Sequence, residues 1–150
     1  MNYWLMKSEP DEFSIDDLAR KKSEPWSGVR NYQARNFMRD GMHTGDGIFF
    51  YHSSCAEPGI AGIAEVGSTA YPDPSQFDPR SDYFDAKSSR SAPRWLLVDV
   101  KFKRKLKRTI TLAEIKQLPP LREFALVRPG TRLSVMPVTK AQWDFILGLE

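Results

Sequence analysis

The run Gly47-Ile48-Phe49-Phe50-Tyr51-His52 constrains the fold most: it is apolar through its middle and bracketed by Gly45-Asp46 and Ser53-Ser54. An apolar run of this length between turn residues is a buried strand, so a core has to be built around it. Past Pro58-Gly59, Ile60 to Val66 reads as a second strand. Its glycine and alanines, Ala61, Gly62 and Ala64, leave room for close backbone approach or a tight barrel corner. Asn2 to Lys7, stopped by Ser8-Glu9-Pro10, has the aromatic and aliphatic content of a strand. Arg94 to Lys103 sets Trp95, Leu97, Asp99, Lys101 and Lys103 against Leu96, Val98, Val100 and Phe102, which predicts a long strand with one polar-leaning face. Leu133 to Met136 predicts a short one.

Helices fall between the strands. Ser14, with Asp17 behind it, caps a helix running to about Lys22. Asn31 caps another, with Tyr32, Arg35 and Arg39 on one face, Ala34, Phe37 and Met38 on the other, and Gly41 at its end. Thr111 and Glu114 form a capping box, and Pro119-Pro120 stops that helix. Thr139 opens a final amphipathic helix that buries Trp143, Ile146 and Leu147. Residues 68–93 are polar and proline-rich, a length of loop that is usually functional or lid-like. With 41% hydrophobic and 27% charged residues the composition is that of a folded chain. The expectation is one α+β domain over residues 1–150, a small mixed barrel with helices packed at its mouth.

Several function classes are excluded by what is missing. No apolar run approaches the ~18 residues of a membrane span, and MNYWLMKSEP lacks the basic leader of a signal peptide. Cys55 is the only cysteine, which fits a reducing compartment, the cytoplasm. With His43 and His52 as the only histidines there are too few soft ligands for a metal site, and no cofactor is expected. His52 and Cys55 could meet as a catalytic dyad only through a turn, and Gly45-Asp46-Gly47 lacks the lysine and context of a phosphate loop. No enzyme is expected, with a nucleobase-directed activity of His52 or Cys55 as the alternative.

The positive evidence is charge and aromatic placement. Six of the eight residues from Lys101 to Arg108 are basic, and Arg20, Lys21, Lys22, Arg30, Arg35 and Arg39 form an earlier group. Such clusters either attract polyphosphates or are solvated faces. Trp26 stands in the loop Pro25-Trp26-Ser27-Gly28 between two helices, where a core tryptophan is less expected. Tyr32 and Tyr51 add aromatic faces, and Ser8, Asn31, Gln33, His52 and Ser53 add hydrogen-bonding edges. A flipped or single-stranded base needs this pairing of stacking platform and edge contacts, with Arg30 and Arg35 on the adjoining phosphates. The competing reading is that the aromatics are core residues.

Long motifs then identify a resemblance. Tyr3-Trp4-Leu5-Met6-Lys7-Ser8-Glu9-Pro10, Trp26-Ser27-Gly28-Val29-Arg30-Asn31-Tyr32-Gln33-Ala34-Arg35-Asn36, Phe50-Tyr51-His52-Ser53-Ser54-Cys55, Pro58-Gly59-Ile60-Ala61-Gly62 and Phe77-Asp78-Pro79 resemble the EVE domain family across essentially the whole chain. The resemblance implies a PUA-like mixed, partly open β-barrel with flanking short helices, related to the YTH and ASCH domains. It also implies binding of modified bases, with 5-methylcytosine derivatives in DNA leading and an RNA-binding accessory role as the alternative. On it, Trp26-Ser27 form one wall of an aromatic pocket and Lys7-Ser8 the opposite polar wall, with Asn31, Tyr32, His52 and Ser53 as further lining. Phosphates would fall to Arg30, Arg35, Lys101, Lys103 and Lys105. The chain departs from the family pattern at Ala86 and at Met136, where glutamine is common. The expected partner is DNA or RNA carrying a modified base, with no membrane and no metal. Trp26→Ala is expected to abolish selectivity and leave the fold intact.

Overall fold

The computed structural model describes residues 1–130 and 132–150. Strand β1 (Tyr3–Ser8) leads through helix α1 (Ile15–Lys21) and strand β2 (Ser23–Pro25) to helix α2 (Tyr32–Asn36), which widens into a π turn over Phe37–Gly41. Strands β3 (Gly47–His52) and β4 (Gly59–Val66) follow, then the two-residue strands β5 (Tyr71–Pro72) and β6 (Leu96–Leu97). The chain closes with strand β7 (Asp99–Thr111), helix α3 (Leu112–Lys116), strand β8 (Val135–Val138) and helix α4 (Lys140–Leu147).

One mixed sheet of six strands runs β2-β7-β4-β3-β1-β8, while β5 and β6 pair apart from it. β1 and β3 are parallel, Leu5 against Phe49, and the other neighbours are antiparallel. A parallel pair needs a crossover, and the segment through α1, β2 and α2 supplies it. Alternation sends Trp4, Met6, Ile48 and Phe50 to one face and Leu5, Phe49 and Tyr51 to the other. Both faces are covered, the first by α1, Trp26 and Met38, the second by Ile115, Trp143 and Ile146. That double burial is the physical reason β3 is apolar on both faces. Register slips after Phe50 and around Ile63 curl the sheet into a half-barrel. The largest falls where Ile60 pairs with Ile110 but Gly62 with Lys105, so residues 106–109 bulge from β7. The α+β, partly open barrel with short helices is therefore present.

Three local differences have identifiable causes. The strand expected from Arg94 to Lys103 breaks at Val98, whose carbonyl accepts the Trp26 N–H at 3.0 Å, and β7 instead runs on to Thr111. Alternation marks faces but not partners, so this break leaves no trace in the pattern. Thr111 does cap α3, yet the Glu114 carboxylate turns to Arg108 (2.7 and 3.0 Å) instead of closing a box. β8 starts two residues later than the expected strand, with Pro137 exposed on the sheet edge, where its missing N–H costs no ladder bond. Met136 is fully buried there, in apolar surroundings.

Residues 68–93, expected as a loop or lid, are pinned from within. Gln76 is fully buried, donates to the carbonyls of Asp73 and Trp95, and accepts from the Trp95 N–H and the Ser88 hydroxyl. Both faces of its amide are thereby satisfied.

Candidate functional site

After pairing with the edge of β7, the chain leaves β2 at Pro25 and turns sharply. Gly28 adopts φ +87°, open to glycine at little cost, and its N–H donates to Asp73 Oδ2 at 2.8 Å. The turn sets the Trp26 indole edge-on to Phe50 (5.6 Å, 86°) and to Phe13 (6.2 Å, 79°). Only 9% of the residue is exposed. It nevertheless lines an open cavity of about 420 Å³ together with Ser27, Lys7 and Ser8 of β1, Ser53 from the turn after β3, and Tyr83. Core packing and cavity wall, alternatives in the sequence, are here one side chain.

The polar groups around the indole are specific. Ser8 spends its hydroxyl proton on the Phe13 carbonyl at 2.6 Å, which leaves its oxygen as an acceptor toward the cavity. Ser53 is held by its own N–H on the Ser8 carbonyl at 2.9 Å. The Lys7 ammonium sits 5.8 Å from the Tyr51 ring, and burial holds its pKa below the ordinary lysine value. Arg30 and Arg132 add positive charge to the lining, and Glu9, Glu12 and Glu24 add carboxylates.

The structure brings Trp26, Ser27, Lys7, Ser8, Ser53 and Arg30 together and keeps the remaining residues of the expected lining apart. Asn31 uses its side-chain oxygen to cap α2, accepting the Ala34 N–H at 2.9 Å. Tyr32, 51% exposed, stacks outside the cavity on Trp95 at 4.7 Å, with the Arg35 guanidinium 4.8 Å from its ring. His52 faces α1, where Nε2 accepts the Ile15 N–H at 3.1 Å, and burial lowers its pKa. Tyr51 belongs to the opposite core.

The expected phosphate ligands differ in what they have free. Arg30 is engaged with Asp73, Ser75, Val29 and Tyr83. Arg35 donates to Asn36 Oδ1 and to the Arg94 carbonyl, and retains two N–H groups among the described residues. Lys101 and Lys103, both exposed, share the half-buried Glu65 at 3.9 and 3.7 Å, and Lys105 meets Asp16 at 3.0 Å as an exposed pair. Among the described residues no three His, Cys, Asp or Glu side chains are grouped to hold a metal, and no helix is long and apolar enough to cross a membrane. Sequence reasoning passed over Phe13, Tyr83, Arg132 and Ser134. For Tyr83 a signal existed: Tyr83-Phe84 is an aromatic pair inside an otherwise polar stretch.

Comparison with known proteins finds relatives over nearly the whole chain. The EVE domain profile matches residues 2–149. Human thymocyte nuclear protein 1 is 44% identical over 99% of this chain and 74% of its own length. A crystal structure of a Pseudomonas syringae protein superposes with a TM-score of 0.94 at 56% identity, covering 98% of each chain. The crystal structure of human THYN1 protein in complex with 5-methylcytosine containing DNA superposes equally well, TM-score 0.94 at 43% identity, covering 99% of this chain and 97% of that one.

Proposed function

The chain belongs to the EVE domain family, and from that premise we propose that it is a non-catalytic module that takes a modified base of nucleic acid, foremost a 5-methylcytosine derivative in DNA, into the cavity beside Trp26. The observation that carries the reading is that Trp26, though largely buried, lines an open cavity of about 420 Å³, a size suited to a planar heterocycle. Stacking on such a wall contributes ~1–3 kcal/mol per base. The Ser8 oxygen, its proton already given to the Phe13 carbonyl, can accept from an exocyclic amine at the edge of a base. The DNA complex of the human relative supports DNA as the partner. Lys101, Lys103, Lys105 and Arg35 would serve the backbone: the first two are loosely paired, the Lys105 pair is exposed on both sides, and Arg35 has donors to spare. A non-catalytic role is favoured because the Ile15 N–H occupies the His52 lone pair that a general base would use.

Titration of labelled strands carrying cytosine, 5-methylcytosine, 5-hydroxymethylcytosine or N6-methyladenine tests the proposal. Trp26→Leu is the informative variant, because Trp26→Ala would also empty the space beside Phe50 and Phe13 and cost about 3–5 kcal/mol of stability. The wild-type protein should prefer a methylated cytosine strand, and Trp26→Leu should keep only salt-sensitive, indifferent binding. Equal affinity of the wild-type protein for all four strands would defeat the proposal. A preference for ribose strands would move the partner to RNA, since only RNA offers the 2′-hydroxyl.

A further inference from the structure

We propose that Tyr83 is the specificity-determining wall of the cavity and that Arg30 is its positioning residue rather than a phosphate ligand; this rests on the reading of the cavity as a base site. Tyr83 lies in a stretch without helix or strand, yet it is firmly tied. Its carbonyl accepts both Nε–H and Nη2–H of Arg30, at 3.1 and 2.7 Å, and its ring lies 5.5 Å from the guanidinium. Arg30 also donates through Nη1 to the Val29 carbonyl (3.0 Å) and Asp73 (3.1 Å), and through Nη2 to Ser75 (3.1 Å). A guanidinium has five N–H groups, and these five bonds use them all. No donor remains for a phosphate unless the arrangement is taken apart.

Asp73 closes the circuit. Its side chain is wholly buried and receives the Gly28 N–H as well as Arg30, so the Trp26 turn and the Tyr83 segment are fastened to one carboxylate. At Gly28 a Cβ would lie 2.8 Å from the Tyr83 ring, so only glycine lets that ring rest on the backbone beside Trp26. Tyr83 is still 42% exposed. A ring wanted for the core would be buried, and an idle loop residue would not have its carbonyl held by two bonds from a guanidinium that is itself anchored on a buried carboxylate. An aromatic face anchored behind and open in front is what a ligand wall requires, and its position limits which substituents a base can carry.

The test compares wild type, Tyr83→Ala, Tyr83→Phe and Arg30→Gln/Asp73→Asn on strands with cytosine or 5-methylcytosine, with melting temperature followed in parallel. Tyr83→Ala should weaken binding of the methylated strand by about fivefold or more and bring the two affinities together at unchanged melting temperature, whereas Tyr83→Phe keeps the preference. The neutral Arg30→Gln/Asp73→Asn pair should lose the preference without changing the dependence of affinity on salt. In the wild-type protein, the bound methylated strand should shield Tyr83 from nitration while Tyr32 stays reactive, a readout that needs no variant. A wild-type preference that survives in Tyr83→Ala, an unshielded Tyr83, or a salt slope reduced by about one in the double variant would overturn the inference and leave the base-reading function standing. A wild-type protein with no preference overturns both.

Discussion

At residue 26 one side chain is both packing and wall. The edge-on contacts with Phe50 and Phe13 fix the indole plane, and the cavity uses what is left of it. A tryptophan between two helices suggested a platform, but residue type and neighbours do not reveal how much of a ring is buried. His52 shows the opposite case. Its position beside the serines suggested pocket lining, yet its ring turns to α1 and accepts the Ile15 N–H, a partner far away in sequence. Burial, with Asp16 and Lys105 as lesser and opposing influences, lowers its pKa below the ordinary 6.5. The unfolded chain therefore binds the proton more readily than the folded one, so His52 contributes stability above pH 6.5 that is lost as pH falls through the folded value. His52→Gln keeps an acceptor for Ile15 and removes the titration. Its melting temperature should decline less between about pH 7 and 5 than that of the wild-type protein; equal declines would refute the assignment.

At the level of elements, β4 and α1 depend on each other through Gly62. A Cβ there would lie 2.4 and 2.5 Å from Ile15 side-chain carbons and 3.1 Å from the Arg104 carbonyl. Ile15 is buried at the start of a helix fixed by the complete Ser14–Asp17 capping box, so it cannot easily yield. Gly62→Ala should cost about 1–3 kcal/mol in urea unfolding. Combined with Ile15→Ala it should cost less than the two changes added, because the second removes what the first collides with. Strict additivity would mean that the helix is not seated on this glycine. The small residues of β4 announced a close approach; which element approaches was hidden, because the partner comes from a crossover that periodicity does not describe.

On the scale of the whole molecule, the basic run from Lys101 to Arg108 is less free than its composition suggests. Its cations share Glu65, Asp16, Glu114 and Glu150, contributed by four different parts of the chain. The ammonium groups of Lys101, Lys103 and Lys105 are exposed, and pairs with such groups contribute little stability and can exchange a carboxylate for a phosphate. Replacing Lys101 and Lys103 by glutamine should lower affinity for methylated and unmethylated strands alike and reduce the salt slope by about two. A selective loss of the methylated strand would place these lysines in recognition instead. What the sequence determined by itself is the local inventory: the apolar strands β1, β3 and β4, the caps at Ser14, Asn31, Thr111 and Thr139, and an aromatic-bearing turn at Trp26. Those properties reside in a few neighbouring residues, so spacing and residue type suffice to show them. Only the tertiary structure decided that Tyr83 and Arg30 meet at the cavity, that Tyr32 and His52 stand away from it, and that Asp73 ties the Trp26 turn to the distant segment. These depend on hydrogen bonds and packing between residues some 40 or 50 positions apart, whose pairing is settled by how the curled sheet and its crossovers fold together rather than by any pattern along the chain.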